Sequence, residues 1–467
     1  MNRFGGDRMV GGFLAWLVDH AAYELMLFAA VGLLIGGIDD LAVDLIWLAR
    51  QAWRRLTIYR RHAPATVETL APPDNPGPIA IFIGAWDESA VIADMLRTAL
   101  DRLIHDDYRI YVGVYPNDPP TIAVVAAVER EDSRVRMVIG ELPGPTTKAD
   151  CLNRLWSALQ SDEAAENRMF KAIVLHDAED VVHSAELKLF DRLIERFDLV
   201  QLPVLPLVDR GSRWVSGHYC DEFAEAHGKA LVVREALGAG MPSAGVGCAL
   251  SRAALQQMSD LGQGHPFDAD SLTEDYELGL RLKDFGGRGV FVRLPVTPGG
   301  NLVAVRAHFP ATLEEAVRQK TRWMTGIALS GWDRLGWSGG WAERWMRLRD
   351  RRAVLAALIL AAAYGSLLLW AVALALGRAA APDPLLGLLL TFNGALLLWR
   401  MAMRFWMVAR LYGCREGLRS IPRTVIANMI AMLAARRAVM NYVGMARRGR
   451  IAWDKTAHVF PDALPAE

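Results

Sequence analysis

Acidic side chains cluster at three separate places in the first half of this chain. The clusters consist of Asp87 with Glu88, then Asp118, then Asp177, Glu179 and Asp180. Carboxylates brought together repel each other unless they share a cation, and Mg²⁺ or Mn²⁺ binds carboxylate oxygens while leaving positions for phosphate. The pattern therefore favours a metal-bound diphosphate as ligand. A single aspartate after a strand often only caps the following helix, so the interpretation depends on all three clusters.

Polar side chains in three later segments could serve the same ligand. Lys148 stands at the predicted start of a helix, where its ammonium group and nearby backbone N–H groups can face an anion. Glu274 and Asp275 precede an amphipathic helix. The segment QKTRW contributes Gln319, Arg322 and Trp323. Each segment also has an interpretation without a ligand. Lys148 could be a solvated surface charge, and Glu274 and Asp275 could only stabilise the start of a helix. The Arg and Trp of QKTRW could anchor the chain at a membrane surface.

The middle of the chain alternates between predicted strands and predicted helices. The strands are expected at 78–85, 109–115, 135–140, 172–175 and 199–204, and helices at 91–103, 121–131 and 148–159. Strands separated by helices predict an α/β domain with a mostly parallel sheet covered on both faces. Ligands bind beyond the carboxyl ends of such strands, where the three acidic clusters lie. The glycine-containing segment 244–251 is strand-like and would let a ligand approach the backbone.

Composition and motif content exclude several classes of protein. The 52 basic and 52 acidic residues leave no net charge, so no nucleic-acid partner is expected. The chain has no GxxxxGK[ST] motif, and the first strand runs into AWDES rather than into a glycine-rich turn. This argues against a P-loop hydrolase and a dinucleotide-binding dehydrogenase. The four cysteines are far apart, which is typical of reduced thiols rather than a zinc site.

Three apolar segments are expected to span a membrane, one before the α/β domain and two after it. They lie at 13–38, 353–377 and 384–408. The second is about 38 Å long as a helix, which exceeds the roughly 30 Å hydrocarbon core of a bilayer. Basic segments flank the α/β domain side of each span, which predicts that this domain is cytoplasmic. The apolar run 424–435 lies between arginines and is predicted to be interfacial or re-entrant.

These features predict five regions along the chain. They are an N-terminal membrane anchor with an amphipathic segment at 1–62, a linker at 63–77, the α/β domain at 78–335, spanning and interfacial helices at 336–441, and a cytoplasmic tail at 442–467.

The ordered motifs resemble those of the inverting family 2 glycosyltransferases, which have the GT-A fold, a Rossmann-like mostly parallel sheet. The resemblance implies that Asp87, Glu88 and Asp118 contact the nucleotide sugar, and that Lys148 is the lysine of the KxxxLN motif, present as KADCLN. Asp177 with Glu179 is similar to the DxD metal motif, Asp275 to the general base beside Glu274, and Gln319, Arg322 and Trp323 to the QxxRW set. The chain has DAED in place of DAD, so Glu179, Asp180 or both could contact the metal.

The segments YPND at 115–118, HDAEDVVH at 176–183 and WDKTAH at 453–458 also resemble the inner-membrane phage-adsorption protein B group. The resemblance runs nearly from end to end and implies a multi-pass protein of the bacterial inner membrane. Longer members of the group carry a carboxyl-terminal cyclic-di-GMP-binding domain. Because this chain stops at Glu467, direct regulation by that nucleotide is not expected.

The resemblance implies transfer of a hexose or N-acetylhexosamine, with inversion, from a UDP-linked or other nucleotide sugar to a growing exopolysaccharide. Mg²⁺ or Mn²⁺ would hold the diphosphate, Asp275 would deprotonate the acceptor, and Trp323 would stack on an acceptor ring. Two alternatives stay open: transfer of one sugar to a polyprenyl phosphate or other lipid, and a non-catalytic role in assembly or phage uptake. Expected partners are the donor, a glycan or lipid-linked acceptor, the bilayer, and an outer-membrane or export partner.

Overall fold

The structure is a computed structural model that describes residues 4–378, 381–448, 459–461 and 463–464. Its strands are β1 (Ile79–Gly84), β2 (Tyr108–Val114), β3 (Val135–Ile139), β4 (Ala172–His176), β5 (Leu199–Gln201), β6 (Val204–Pro206), β7 (Cys248–Ser251), β8 (Gly289–Phe291) and β9 (Val305–Ala307). The WDKTAH segment singled out above lies outside the described residues.

The helices are α1 (Phe4–Trp53), α2 (Ile92–Arg102), α3 (Pro119–Glu131), α4 (Lys148–Glu166), α5 (Glu186–Leu193), α6 (Gly217–Glu225), α7 (Leu231–Ala236), α8 (Arg252–Leu261), α9 (Glu274–Asp284), α10 (Leu313–Trp323), α11 (Gly331–Leu335), α12 (Trp341–Arg351), α13 (Ala353–Ala375), α14 (Pro384–Tyr412) and α15 (Cys414–Arg448). Short π-helical turns at Arg54–Ile58, Ala226–Ala230 and Met324–Ser330 follow α1, α6 and α10.

The main sheet has the strand order β3-β2-β1-β4-β7-β5-β8 and is mostly parallel. Within the described chain, β7 alone runs antiparallel to its neighbours, β4 and β5. Side chains alternate between the two faces: Ile79, Ile81 and Ile83 of β1 enter one buried cluster, while Ala80 and Phe82 enter another. A strand that is apolar at every position is thus buried on both faces, which confirms the predicted sheet with helices on each side.

Two predicted strands are shorter than expected, for reasons of backbone geometry. The run 199–204 is divided between β5 in the main sheet and β6, which pairs with β9 in a separate two-stranded sheet. The break falls at Pro203, which has no N–H group to continue a ladder. The segment 244–251 becomes a strand only at Cys248, because Gly245 and Gly247 have φ angles of +74° and +55°.

Three helices are long and apolar enough to span a membrane among the described residues: Val18–Ile58, Ala353–Ala375 and Pro384–Tyr412. They correspond to the three predicted spans. The first is longer than the predicted apolar run, because α1 continues without a break past Asp39, Asp40 and Asp44. Asp39 and Asp40 pair with cations of the other two spans, Arg352 before α13 and Arg400 within α14, whereas Asp44 pairs with Lys229.

The apolar run 424–435 is part of α15, a continuous helix of 35 residues that passes through Pro422. This helix packs along α14 and also contacts α10 and α13. Thr321 of α10 donates a hydrogen bond to the backbone carbonyl of Ala434 at 3.4 Å. The helix that carries the QxxRW motif therefore lies directly against α15.

Candidate active site

A cavity of about 590 Å³ lies beyond the carboxyl ends of β1, β2 and β4. Most of the polar residues selected from the sequence line it: Glu88, Lys148, Asp177, Glu179, Asp180, Glu274, Asp275, Gln319, Arg322 and Trp323. They come from distant parts of the chain, since α4, α9 and α10 place their first or last turns around the same opening that follows the strands. Asp87 and Asp118 are not among the lining residues.

Lys148 contacts the acidic loop that follows β4. Its Nζ atom lies 2.5 Å from Oδ1 of Asp177 and donates a second hydrogen bond to the carbonyl of Gly245 at 3.3 Å. Thr147 caps α4 and so places Lys148 at the first helical position. Burial by itself would lower the pKa of Lys148, but the charges of Asp177, Glu274 and Asp275 outweigh it and raise the pKa. The lysine is therefore cationic at neutral pH.

Glu274 and Asp275 open α9 and line the same cavity as Asp177. Burial, followed by the charge of Asp275, raises the pKa of Glu274 to about 7. Burial also raises the pKa of Asp275, although Lys148 and Arg322 act in the opposite direction. A carboxylate with a raised pKa accepts a proton more readily than an exposed one, which suits a general base.

Asp180 already has hydrogen-bond partners inside the protein. Its Oδ2 atom lies 2.9 Å from Nδ1 of His176 and accepts a hydrogen bond from the backbone N–H of Asp177 at 3.0 Å. His176 also contacts Glu186 at 2.8 Å. Burial by itself would lower the pKa of His176, but these two acids raise it to about 10. A buried imidazolium thus holds Asp180 and braces the loop that carries Asp177 and Glu179.

Asp118 caps the helix that follows its strand, which is a common role for an aspartate after a strand. Its side chain accepts a hydrogen bond from the N–H of Thr121 and caps α3. Its other oxygen accepts from the N–H of Asp87 at 2.6 Å. Asp87 is not among the cavity residues, whereas the next residue, Glu88, is buried and lines the cavity. Asp118 therefore orders the loop after β1 rather than contributing to the cavity wall itself.

Aromatic side chains outside the sequence motifs form two parts of the cavity wall. Trp86 and Tyr115 follow β1 and β2 and meet edge to face at 5.2 Å. At the other end, Phe309 lies 5.0 Å from Phe223, which in turn lies 6.4 Å from Trp323. Because Trp86 and Tyr115 directly follow predicted strands, their place at the ligand-binding edge of the sheet could have been predicted from the sequence. Phe223 and Phe309 come from α6 and from the segment after β9, which no motif marked.

The residues present fit a divalent cation that is shared with a ligand. Among the described residues, no group of three or more His, Cys, Asp or Glu side chains is placed to hold a metal alone. Asp177 and Glu179 nevertheless both line the cavity. Mg²⁺ and similar ions are commonly held by one or two carboxylates together with substrate phosphates and water, so two acids beside a lysine suffice.

Gln319 offers a polar atom to a ligand in the same cavity. In the described part of the chain, its Oε1 atom is buried and accepts no hydrogen bond. A buried acceptor without a donor costs free energy, which a ligand hydroxyl group would recover. Arg322 lies one helical turn further along α10 and contributes positive charge to Glu274 and Asp275.

A mostly parallel sheet with an acidic loop after β4, and helices that close a cavity over that edge, is the arrangement found in the GT-A class of glycosyltransferases. The model of the family described as glycosyltransferase like family 2 matches residues 76–326. The chain belongs to this family. The match includes every residue selected above, from Asp87 to Trp323.

Two relatives and one solved structure illustrate the similarity. The chain is 37% identical, over 482 aligned residues, to bacteriophage adsorption protein B of Escherichia coli K12, and equally to bacteriophage N4 adsorption protein B of Escherichia coli O157:H7. Each alignment covers 97% of this chain and 64% of the relative, so the chain spans somewhat less than two thirds of the length of these proteins.

The fold is similar to that of a mannosyltransferase from Pyrobaculum calidifontis, solved in complex with GDP-Man and Mn²⁺. The TM-score is 0.55, and the match covers 89% of this chain and 99% of the other at 15% identity. The shared fold therefore extends beyond the sheet to most of the flanking helices.

Proposed function

We propose that this chain is a membrane-bound, metal-dependent glycosyltransferase that moves a hexose or N-acetylhexosamine from a nucleotide sugar to a growing exopolysaccharide, with inversion. One observation carries the proposal: Lys148, Asp177, Asp275 and Arg322 belong to four separate elements and line one cavity. The family assignment supports the reaction class. The mannosyltransferase with the similar fold binds a nucleotide sugar and Mn²⁺, which supports the same kind of donor here.

The donor would occupy the end of the cavity near Trp86, Tyr115 and Lys148. Asp177 and Glu179 would hold Mg²⁺ or Mn²⁺, which when bound neutralises the charge of a leaving diphosphate. Asp180 is less suited to this task, because one of its oxygens is already used by His176 and by the amide of Asp177. Lys148 can exchange its contact with Asp177 for one with a phosphate oxygen.

The acceptor would enter at the aromatic end of the cavity, which is formed by Phe223, Phe309 and Trp323. Asp275 takes the proton of an acceptor hydroxyl group, and the oxygen of that hydroxyl group attacks the anomeric carbon of the donor sugar. The bond from that carbon to the diphosphate breaks on the opposite face, so the configuration inverts. Glu274 adds negative charge beside the base, while Arg322 adds positive charge that offsets it. Trp323 presents a ring on which a sugar can stack.

Transfer of one sugar to a polyprenyl phosphate or another lipid is the second candidate, and the small number of candidate spans favours it. The three helices found in the described residues provide little wall for a polymer channel. A polymer product would then need self-association or an export partner, whereas a lipid product would not. The size and solubility of the radiolabelled product distinguish the two, since a polymer elutes in the void volume of a sizing column and a glycolipid partitions into organic solvent.

Asp275→Asn tests the proposal in purified membranes supplied with UDP- and GDP-linked sugars and Mg²⁺ or Mn²⁺. Because the amide cannot accept the acceptor proton, transfer should fall on the order of 100-fold or more while nucleotide binding is retained. The measurement is incorporation of radiolabelled sugar, with nucleotide affinity determined in parallel. Transfer by Asp275→Asn at the wild-type rate would contradict the assignment of the base. A non-catalytic role in assembly or phage uptake requires that no sugar of the panel be incorporated.

A further inference from the structure

The residue that follows the proposed base is tied to a helix next to the membrane. Tyr276 is buried and donates a hydrogen bond from its hydroxyl group to Oδ2 of Asp350 at 2.7 Å. Asp350 belongs to the last turn of α12, and the second candidate span begins three residues later at Ala353. The helix α9, which carries Asp275, is therefore attached at its first turn to the element that leads into the bilayer.

Arg234 connects the same carboxylate to the segment 240–245, which supplies Pro242, Ser243 and Ala244 to the cavity wall. Its Nη1 atom donates to both oxygens of Asp350, at 2.9 and 2.7 Å, and its Nε atom donates to the carbonyl of Gly240 at 2.5 Å. Glu343 of α12 accepts from the N–H of Gly240, also at 2.5 Å. Gly240 begins the segment 240–245, so the partly buried pair of Arg234 and Asp350, together with Glu343, holds both this segment and α9.

The segment 240–245 and α9 are in direct contact. A Cβ atom at Gly279 of α9 would lie 2.3 Å from the carbonyl oxygen of Met241. A Cβ atom at Gly245 would lie 2.2 Å from Oδ2 of Asp275. Because the backbone of the segment reaches the carboxylate without any gap, a shift of either element moves Asp275 relative to the cavity.

We propose that Arg234 and Asp350 are positioning residues for sugar transfer, and that they act by holding Tyr276 and Gly240 so that the Asp275 carboxylate stays aligned with the acceptor. The proposal rests on the proposed function, in which Asp275 is the base. Neither Arg234 nor Asp350 is among the residues that line the cavity. They act through their neighbours, and the contact between Asp350 and α9 couples the base to the second candidate span.

Tyr276→Phe tests the proposal with the smallest change, since it removes one hydroxyl group and keeps the ring. The kcat should fall about 10-fold, because misplacement of a catalytic group by a fraction of an ångström lowers the rate, while the KM for the nucleotide sugar stays unchanged. Tyr111→Phe is the matched control: its hydroxyl group donates to Asp162 at 2.9 Å, away from the cavity. Its kcat should equal that of the wild type. A wild-type kcat for Tyr276→Phe would overturn the proposal.

A double-mutant cycle shows whether Tyr276 and Asp350 act through their shared bond. The variant Tyr276→Phe/Asp350→Ala should lose no more kcat than Asp350→Ala alone, whereas losses that multiply would overturn the proposal. Asp350→Asn keeps an acceptor for Tyr276 and should retain more kcat than Asp350→Ala. Asp275→Asn separates the two proposals: if it is active, the assigned base is wrong, and if it is inactive while Tyr276→Phe is unimpaired, only the positioning proposal fails.

Discussion

Gly245 shows how one small residue can define the position of the proposed base, Asp275. It lies between the two charges that matter most in the cavity: its carbonyl accepts a hydrogen bond from Lys148, and its Cα faces the carboxylate of Asp275. Its φ angle of +74° is also one that L residues other than glycine rarely adopt. Two independent constraints, backbone conformation and space, therefore require glycine at this position.

Gly245→Ala should lose most transfer activity, on the order of 100-fold, because the new methyl group would displace the Asp275 carboxylate. Gly299→Ala is a matched control, since Gly299 has a φ angle of +79° and no neighbour among the described residues within 4 Å of the place where a Cβ would stand. Both substitutions should lower the free energy of unfolding by about 1–2 kcal/mol through backbone strain. Transfer assays and thermal unfolding separate the two effects. Equal activity of the two variants would contradict the contact with Asp275.

The helical stretch formed by α6, its π-helical turn and α7 joins the catalytic domain to the membrane-proximal helices. Its charged side chains pair with partners on four of those helices: Asp221 with Arg423 of α15, Glu222 with Lys320 of α10, Glu225 with Arg404 of α14, and Lys229 with Asp44 of α1. The same stretch lines the aromatic end of the cavity with Phe223 and His227. Its position thus depends on the spans as much as on the sheet.

Arg404→Leu should destabilise the protein by about 1–3 kcal/mol, because it removes the nearer of two cations from the largely buried Glu225 carboxylate: Arg404 lies 2.7 Å away, and Lys229, which remains, lies 3.4 Å away. The double variant Arg404→Leu/Glu225→Leu should recover most of this loss, since no buried charge is left unpaired. Arg97→Leu provides the exposed control. It breaks a pair with Glu131 in which both side chains are about half exposed and should cost at most about 1 kcal/mol. Thermal unfolding in detergent measures all three, and an equal loss for the single and double variants would contradict the pairing.

The spans and the catalytic domain form one connected body in the described residues. α1 packs against both α13 and α14, and its acids Asp39 and Asp40 pair with Arg349 and Arg352, which precede the second span. Trp345 donates to Asp39 at 2.6 Å. These polar contacts lie at the ends of the spans that adjoin the catalytic domain, where charged groups can still reach water and lipid head groups. The cavity is consequently placed near the surface of the proposed bilayer.

Cys414 allows the proposed orientation to be tested without any substitution. It is the exposed cysteine of the four and follows α14, whereas Cys151, Cys220 and Cys248 are buried. We expect a membrane-impermeant maleimide to label Cys414 in inverted inner-membrane vesicles and not in spheroplasts, because the catalytic domain is proposed to be cytoplasmic. In a Cys414→Ala background, a cysteine introduced at Pro382, between the second and third spans, should show the opposite pattern. Labelling of Cys414 in intact spheroplasts would reverse the topology.

The amino-acid sequence by itself determined the alternation of strands and helices, the three candidate spans and the order of the family motifs. These features follow from hydrophobic periodicity and from residue types at fixed spacing, which are local properties of the chain. It also placed Asp177 at the ligand-binding edge of the sheet, because parallel strands end at the same edge. The order of the family motifs grouped Lys148, Asp275 and the QxxRW residues with it. Boundaries were less well determined where Pro203 and two glycines with positive φ interrupted a strand-like run.

Only the tertiary structure decided which of the acids reach the cavity. Asp118 and Asp177 both follow strands, yet one caps α3 and the other contacts Lys148. The difference depends on side-chain direction and on the neighbours that happen to be packed there, and neither is encoded in spacing. The same holds for the contact of Gly245 with Asp275 and for the bond between Tyr276 and Asp350, since residues 30 and 74 positions apart meet only once the helices are packed.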